Sequence, residues 1–158
     1  MGERASTDET DSQLFRGAMQ SAVKHLRDVQ PDIILCLGDS TENIAGQLTS
    51  FGFNVTWLNH DQGHTIYQDG SVDDQTQRLK QIIGNHQNPM VFEDTMISGG
   101  KLWQLHNTFE SAEIPFQAVV LAAPEELIDD GITIISTNPK LISEMRLRVS
   151  KLIDSRNQ

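Results

Sequence analysis

Five short apolar runs recur along this chain, and between them the apolar residues fall at helical spacing. The runs centre on residues 35, 56, 91, 119 and 134. Runs without polar alternation suit strands covered on both faces. Strands separated mainly by helices imply parallel pairing, because a parallel partner is reached through a crossover. The expected fold is therefore α/β, a three-layer arrangement with a mainly parallel five-stranded sheet and helices on both faces. Such sheets hold ligands just beyond the carboxyl ends of their strands.

The intervening segments agree with this reading. Residues 1–12 are polar, without apolar periodicity, and are expected to form a flexible tail. Residues 13–158 then make one domain, since the chain has no room for a second of similar size. Leu14, Ala18, Ala22 and Leu26 suit a packed helix that Pro31 stops. Ile33 to Leu37 form a strand, Ile44, Leu48 and Phe51 a helix, and Phe53 to Leu58 the next strand. Residues 59–72 read as a polar loop with only Ile66, Tyr67 and Val72 to bury. A helix resumes near Asp73. Met90-Val91-Phe92 is a buried strand, Leu102 to Phe109 a helix, Phe116 to Ala122 and Ile132 to Ile135 strands, and residues 139–153 an amphipathic helix.

Composition excludes several classes. Twelve basic residues against 22 acidic ones leave a charge of −10, which disfavours a nucleic-acid or anionic-membrane surface. The single cysteine, Cys36, lies in an apolar strand, so no intrachain disulfide forms and a packing role is expected. With no apolar stretch near the ~20 residues of a membrane helix and no signal-peptide core, a cytoplasmic protein is the default.

Two strand ends carry chemistry. The first is Leu37-Gly38-Asp39-Ser40-Thr41, where glycine permits a tight turn and Ser40 or Thr41 can cap the following helix. Backbone N–H groups there suit an anion. The second is Glu93-Asp94-Thr95-Met96-Ile97-Ser98-Gly99-Gly100-Lys101. Two carboxylates follow a buried strand, and paired glycines let the backbone wrap an oxygen-rich group, with Ser98 as a hydroxyl donor. The acids suit sugar hydroxyls or hydrated Mg²⁺. A phosphate beside a diol, as in a phosphorylated ribose, satisfies both halves.

This second stretch resembles the ribose-phosphate motif of the type I phosphoribosyltransferases, in which two acids, two further positions and a Gly-Gly loop follow a buried strand. The resemblance implies that Glu93 and Asp94 hold the ribose hydroxyls of 5-phosphoribosyl-1-pyrophosphate (PRPP) and act as the catalytic carboxylates. It places Thr95, Ile97, Ser98, Gly99, Gly100 and Lys101 around the phosphorylated ribose. Gly38, Asp39, Ser40 and Thr41 resemble that family's pyrophosphate loop, and residues 59–72 fall where it has a closing loop. Mg²⁺ is the implied cofactor, held by Glu93 and Asp94 directly or through water. The implied reaction is phosphoribosyl transfer from PRPP to a nitrogenous base with release of pyrophosphate, a glycosyltransferase step of nucleotide metabolism.

The chain departs from that pattern. Ile97 cannot donate to a phosphate, and residues 28–77 hold eight acids but no Lys or Arg. A non-catalytic PRPP-binding module is the second reading. The third is a serine hydrolase, because Gly38-Asp39-Ser40 resembles the nucleophile block of the SGNH hydrolases. Ser40 would then need a histidine base near the C-terminus, and the last histidine is His106. A homodimer or larger homo-oligomer is expected, since in a short chain without local basic groups a partner could complete a PRPP site. His60, Asp61 and His64 have short metal-like spacing but read as an exposed loop, while Trp57 and Trp103 read as core.

Overall fold

The computed structural model describes residues 12–96, 100–127 and 131–156. Its sheet has five strands: β1 (Ile33–Leu37), β2 (Val55–Leu58), β3 (Pro89–Thr95), β4 (Ala118–Ala122) and β5 (Ile132–Ser136). The order is β2-β1-β3-β4-β5, and every pairing is parallel. The expected three-layer α/β architecture is present, with all five apolar centres inside strands.

Six helices flank the sheet among the described residues: α1 (Gln13–Val29), α2 (Glu42–Ser50), α3 (His60–His64), α4 (Val72–Ile83), α5 (Gly100–Ser111) and α6 (Pro139–Arg156). Strand alternation divides the core into two layers. Ile34, Cys36, Met90, Phe92, Val119 and Leu121 meet Leu26 of α1, Leu48 of α2 and Leu141 of α6. Leu35, Leu37, Val91 and Val120 face the other way, toward Leu79 of α4 and Leu105 and Phe109 of α5. Covering both faces is what makes the central strands continuously apolar.

Local chemistry sets the ends. Ser12 caps α1 by accepting from the Phe15 N–H at 3.1 Å, and its hydroxyl donates to Glu144 of α6 at 2.6 Å. Gln30, left-handed at φ 58°, ends the helix immediately before Pro31. Residues 1–11 of the expected tail lie outside the described residues.

Some boundaries differ from expectation. Residues 59–72 are not wholly loop: Asn59 and Gln62 form a reciprocal capping box that starts α3. Val72 opens α4 with its side chain exposed rather than buried, leaving Ile66 as the fully buried residue of that stretch. Trp103 is 67% exposed on α5, because Leu102 and Leu105 take the core-facing positions one residue before and two after it.

Candidate functional site

β1 connects to β2 on one side of the sheet, and the chain then crosses to β3 on the other side of β1. A doubly wound sheet opens a crevice at this switch, outside the carboxyl ends of β1 and β3. Both segments singled out in the sequence meet there.

After β1, Gly38 adopts φ 97°, a left-handed conformation that glycine accepts without strain. Its N–H donates to the Leu58 carbonyl at 2.8 Å. Its carbonyl accepts from the Thr41 hydroxyl and the Trp57 indole N–H, each at 2.9 Å. Thr41 occupies the N-cap position of α2, but its hydroxyl is used on Gly38, so no side-chain cap forms. The Asp39 carboxylate instead accepts from the His60 N–H at 3.1 Å, joining the β1 turn to α3.

Glu93 and Asp94 lie within β3, not after it, because the strand runs on to Thr95 beside Ala122 of β4. Consecutive strand residues point to opposite faces. Asp94 shares the face of Phe92 and bonds the Ser40 hydroxyl, and it also accepts from the Thr95 N–H at 2.7 Å. Glu93 shares the face of Val91 and meets Lys101 from the first turn of α5.

The Glu93 carboxylate is only 4% exposed. Lys101 Nζ stands 3.2 Å from its Oε1, 3.0 Å from its Oε2 and 3.3 Å from the Leu37 carbonyl. The ammonium donates along a directed bond to Oε1, so Oε2 is ion-paired without a directed donor. Thr95 Oγ1, two residues along the same face, is likewise buried without a partner. Burial pushes Glu93 up to about 7, with Lys101 opposing and Asp94 reinforcing the shift. Burial also raises Asp94, against the Ser40 bond. Desolvation by burial is the largest influence on Lys101 and lowers it, but Glu93, Tyr67 and Asp94 together raise it on balance.

Beside Lys101 stands Tyr67, whose ring centroid lies 5.8 Å from Nζ. His64 packs edge-on to Tyr67 at 5.4 Å, and His60 lies beside His64. Sequence reasoning had set Tyr67 and the histidines in a loop. The i, i+4 spacing of His60 and His64 was the signal that they share a helical face.

The structure thus brings Glu93, Thr95, Gly38 and Lys101 together on one side, and Asp94 with Ser40 on the other. Gly100 begins α5. Ile97, Ser98 and Gly99 lie outside the described residues. Mg²⁺ held jointly by Glu93 and Asp94 does not fit this arrangement, because the two carboxylates diverge and Glu93 already pairs with Lys101. The hydroxyl of Ser40 is held by a carboxylate, not by an imidazole.

No protein-family model matches the chain, and no curated protein matches it. Among solved structures, it is similar to an HGPRTase from Leishmania tarentolae in complex with GMP, at 17% identity over 77% of this chain and 76% of that one, with a TM-score of 0.49. It is also similar to an aromatic amino acid aminotransferase with 3-indolebutyric acid, at 14% identity over 86% of this chain and 33% of that one, with a TM-score of 0.41.

Proposed function

We propose that the chain is a phosphoribosyltransferase-like protein that holds a phosphorylated ribose, such as PRPP, at the carboxyl ends of β1 and β3. The observation that carries this reading is the buried, unpartnered hydroxyl of Thr95, on the strand face that also carries Glu93 and its ion pair with Lys101. An orphaned buried polar atom costs roughly 1–3 kcal/mol, so a ligand that supplies its partner recovers that free energy. A sugar hydroxyl donates to Glu93 and exchanges with Thr95, while the ammonium of Lys101 suits the phosphate. The Ser98-Gly99-Gly100 sequence adds backbone donors of the kind a phosphate uses.

With a nitrogenous base as acceptor, the reaction breaks the bond between ribose C1 and pyrophosphate and forms a C1–N bond. Pyrophosphate departs with the electron pair, and the base loses its N–H proton to solvent. Glu93, on the face of β3 that carries Thr95, would favour positive charge developing on the ribose, while Asp94, on the opposite face, holds Ser40. A binding module without turnover is the second reading. It is favoured by the engagement of Lys101 with Glu93 and by the acid-rich, Lys- and Arg-free stretch 28–77, which gives departing pyrophosphate little positive charge.

Calorimetry with PRPP and with ribose 5-phosphate tests the site, with pyrophosphate release measured on the same preparation over a panel of purines, uracil and orotate. Binding should weaken in Thr95→Val and Lys101→Met. Absence of binding to either compound, with and without Mg²⁺, refutes the proposal. Binding without pyrophosphate release selects the module over the transferase.

A further inference from the structure

The turn that follows β2 carries a feature the ribose-phosphate reading does not use. α3 places His60 and His64 one helical turn apart, with ring centroids 4.0 Å from each other and planes tilted by 57°. The turn is held from three directions. Asn59 and Gln62 cap it reciprocally, the His60 N–H is bound by Asp39, and buried Gly63 sits against Leu37. Two imidazoles on a fixed turn have little conformational freedom left to lose on taking a shared ligand.

We propose that His60 and His64 form a two-imidazole chelate for a divalent transition-metal ion of the nickel–copper–zinc class. Imidazole nitrogen is the donor that these ions prefer, and His at i and i+4 on one helical face is a spacing that reaches a single metal. The surrounding charge decides between a cation and an oxyanion as occupant. Residues 28–77 contain eight carboxylates and no Lys or Arg. Asp61 and Asp69 belong to the same short segment as the two histidines. Lys101, the cation beside Tyr67, is paired with Glu93 at 3.0 Å. An excess of carboxylates in this part of the chain favours a cation over an oxyanion as the occupant of the pair.

The ring geometry also ranks the ions. With metal–nitrogen bonds of ~2.0–2.1 Å, the centroids of two bound imidazoles stand about 4.5 Å apart at a right-angle site and about 5 Å apart at a tetrahedral one. The rings, at 4.0 Å, need to part by about half an ångström for tetragonal Cu²⁺ or Ni²⁺ and by about twice that for Zn²⁺. With two protein ligands, the remaining coordination positions are open to water or to a ligand in the adjoining crevice.

The test is titration of the tag-free full chain with Cu²⁺ alone, followed by calorimetry and electron paramagnetic resonance. The expected result is one Cu²⁺ per chain with two coupled imidazole nitrogens. His64→Ala and, separately, His60→Ala should each remove one nitrogen and weaken binding at least roughly tenfold, the lower end of what even outer partners of metal ligands contribute. His25→Ala, remote in sequence, should bind as the parent does. Far-UV circular dichroism of each variant establishes that the fold is intact, and the two alanine variants probe opposite ends of the turn. Parent-like Cu²⁺ binding in both, or a spectrum without two equivalent nitrogens, overturns the proposal. This outcome is independent of whether PRPP binds, because the titration contains no phosphorylated compound.

Discussion

Glu93→Gln should make the protein more stable above neutral pH, although it removes one partner of an ion pair. Breaking a buried pair usually costs ~3–5 kcal/mol, because the remaining charge is stranded without water. Here the partner left behind is Lys101, whose side chain is 32% exposed and keeps access to solvent. Solvent access reduces the stranded-charge penalty even though burial still weighs on the ammonium, and the cost of ionising Glu93 in its buried place decides the sign. Burial lifts that carboxyl from an ordinary 4.5 to about 7 even with Lys101 beside it. The folded state consequently holds a proton that the unfolded state has released between these two values. Stability falls as pH rises through that window, because the folded form binds more protons there. At ~1.4 kcal/mol for each tenfold in proton affinity, the gap amounts to about 3 kcal/mol.

The assay is urea denaturation of both proteins at about pH 5 and about pH 8, the two sides of the upper end of the window. Glu93 should contribute a loss of ~2–3 kcal/mol to the parent between those points, and the variant should lack that component. The raised proton affinity of Lys101 does not interfere, since its stabilisation is lost only as pH passes above the usual lysine range. Asp94 is present in both proteins, and its contribution largely cancels in the difference. Parallel profiles for parent and variant, or a uniform loss of stability in Glu93→Gln, would refute the reasoning and show that the pair is net stabilising.

Other consequences are more local. Gly38→Ala places an L side chain at φ 97°, so ~1–2 kcal/mol of strain should appear in the urea midpoint. The added Cβ lies 3.8 Å from Lys101 Nζ, an ordinary contact, so the loss is conformational and not a clash. Phe92→Ala empties a fully buried position on the central strand β3 and should cost ~3–5 kcal/mol by the same measurement. Cys36 has its thiol pushed up by burial first and then by Glu93 and Asp94, so a thiol reagent should react at the rate of unfolding and not at that of an exposed cysteine.

Most of the sheet was legible from the apolar runs because a parallel strand covered on both faces leaves no polar residue to blur its outline. β1 is the clearest case: Ile33 to Leu37 are all buried, and the run matches the strand residue for residue. The strand ends were less legible. Phe53 and Phe116 extended their apolar runs by two residues, but both act as partly buried packing residues ahead of β2 and β4. α3 was hidden by composition, since His60, Asp61, Gln62, Gly63 and His64 have no apolar periodicity. The capping box, a pattern of particular side chains, creates that turn.

The site was legible in its location and misread in its orientation. Glu93 and Asp94 stand side by side in sequence and read as one pair serving one ligand, which assumes that the strand stops at Phe92. The partner strand carried the opposing signal. The apolar run of β4 reaches Ala122, and a parallel register that pairs Phe92 with Val119 gives residues as far as Thr95 a partner. Once β3 is extended to Thr95, alternation alone puts Val91, Glu93 and Thr95 on one face and Phe92 and Asp94 on the other. Lys101, expected at a phosphate, then lies over the Glu93 face because it sits in the first turn of α5, the helix that covers that side. The same alternation gives the two acids separate environments: Asp94 is held by Ser40 and the Thr95 N–H, while Glu93 is balanced by a cation. The Glu93 side is the one with an unmet polar demand, so substitutions there, more than at Ser40, should decide whether a hydroxylated anion binds.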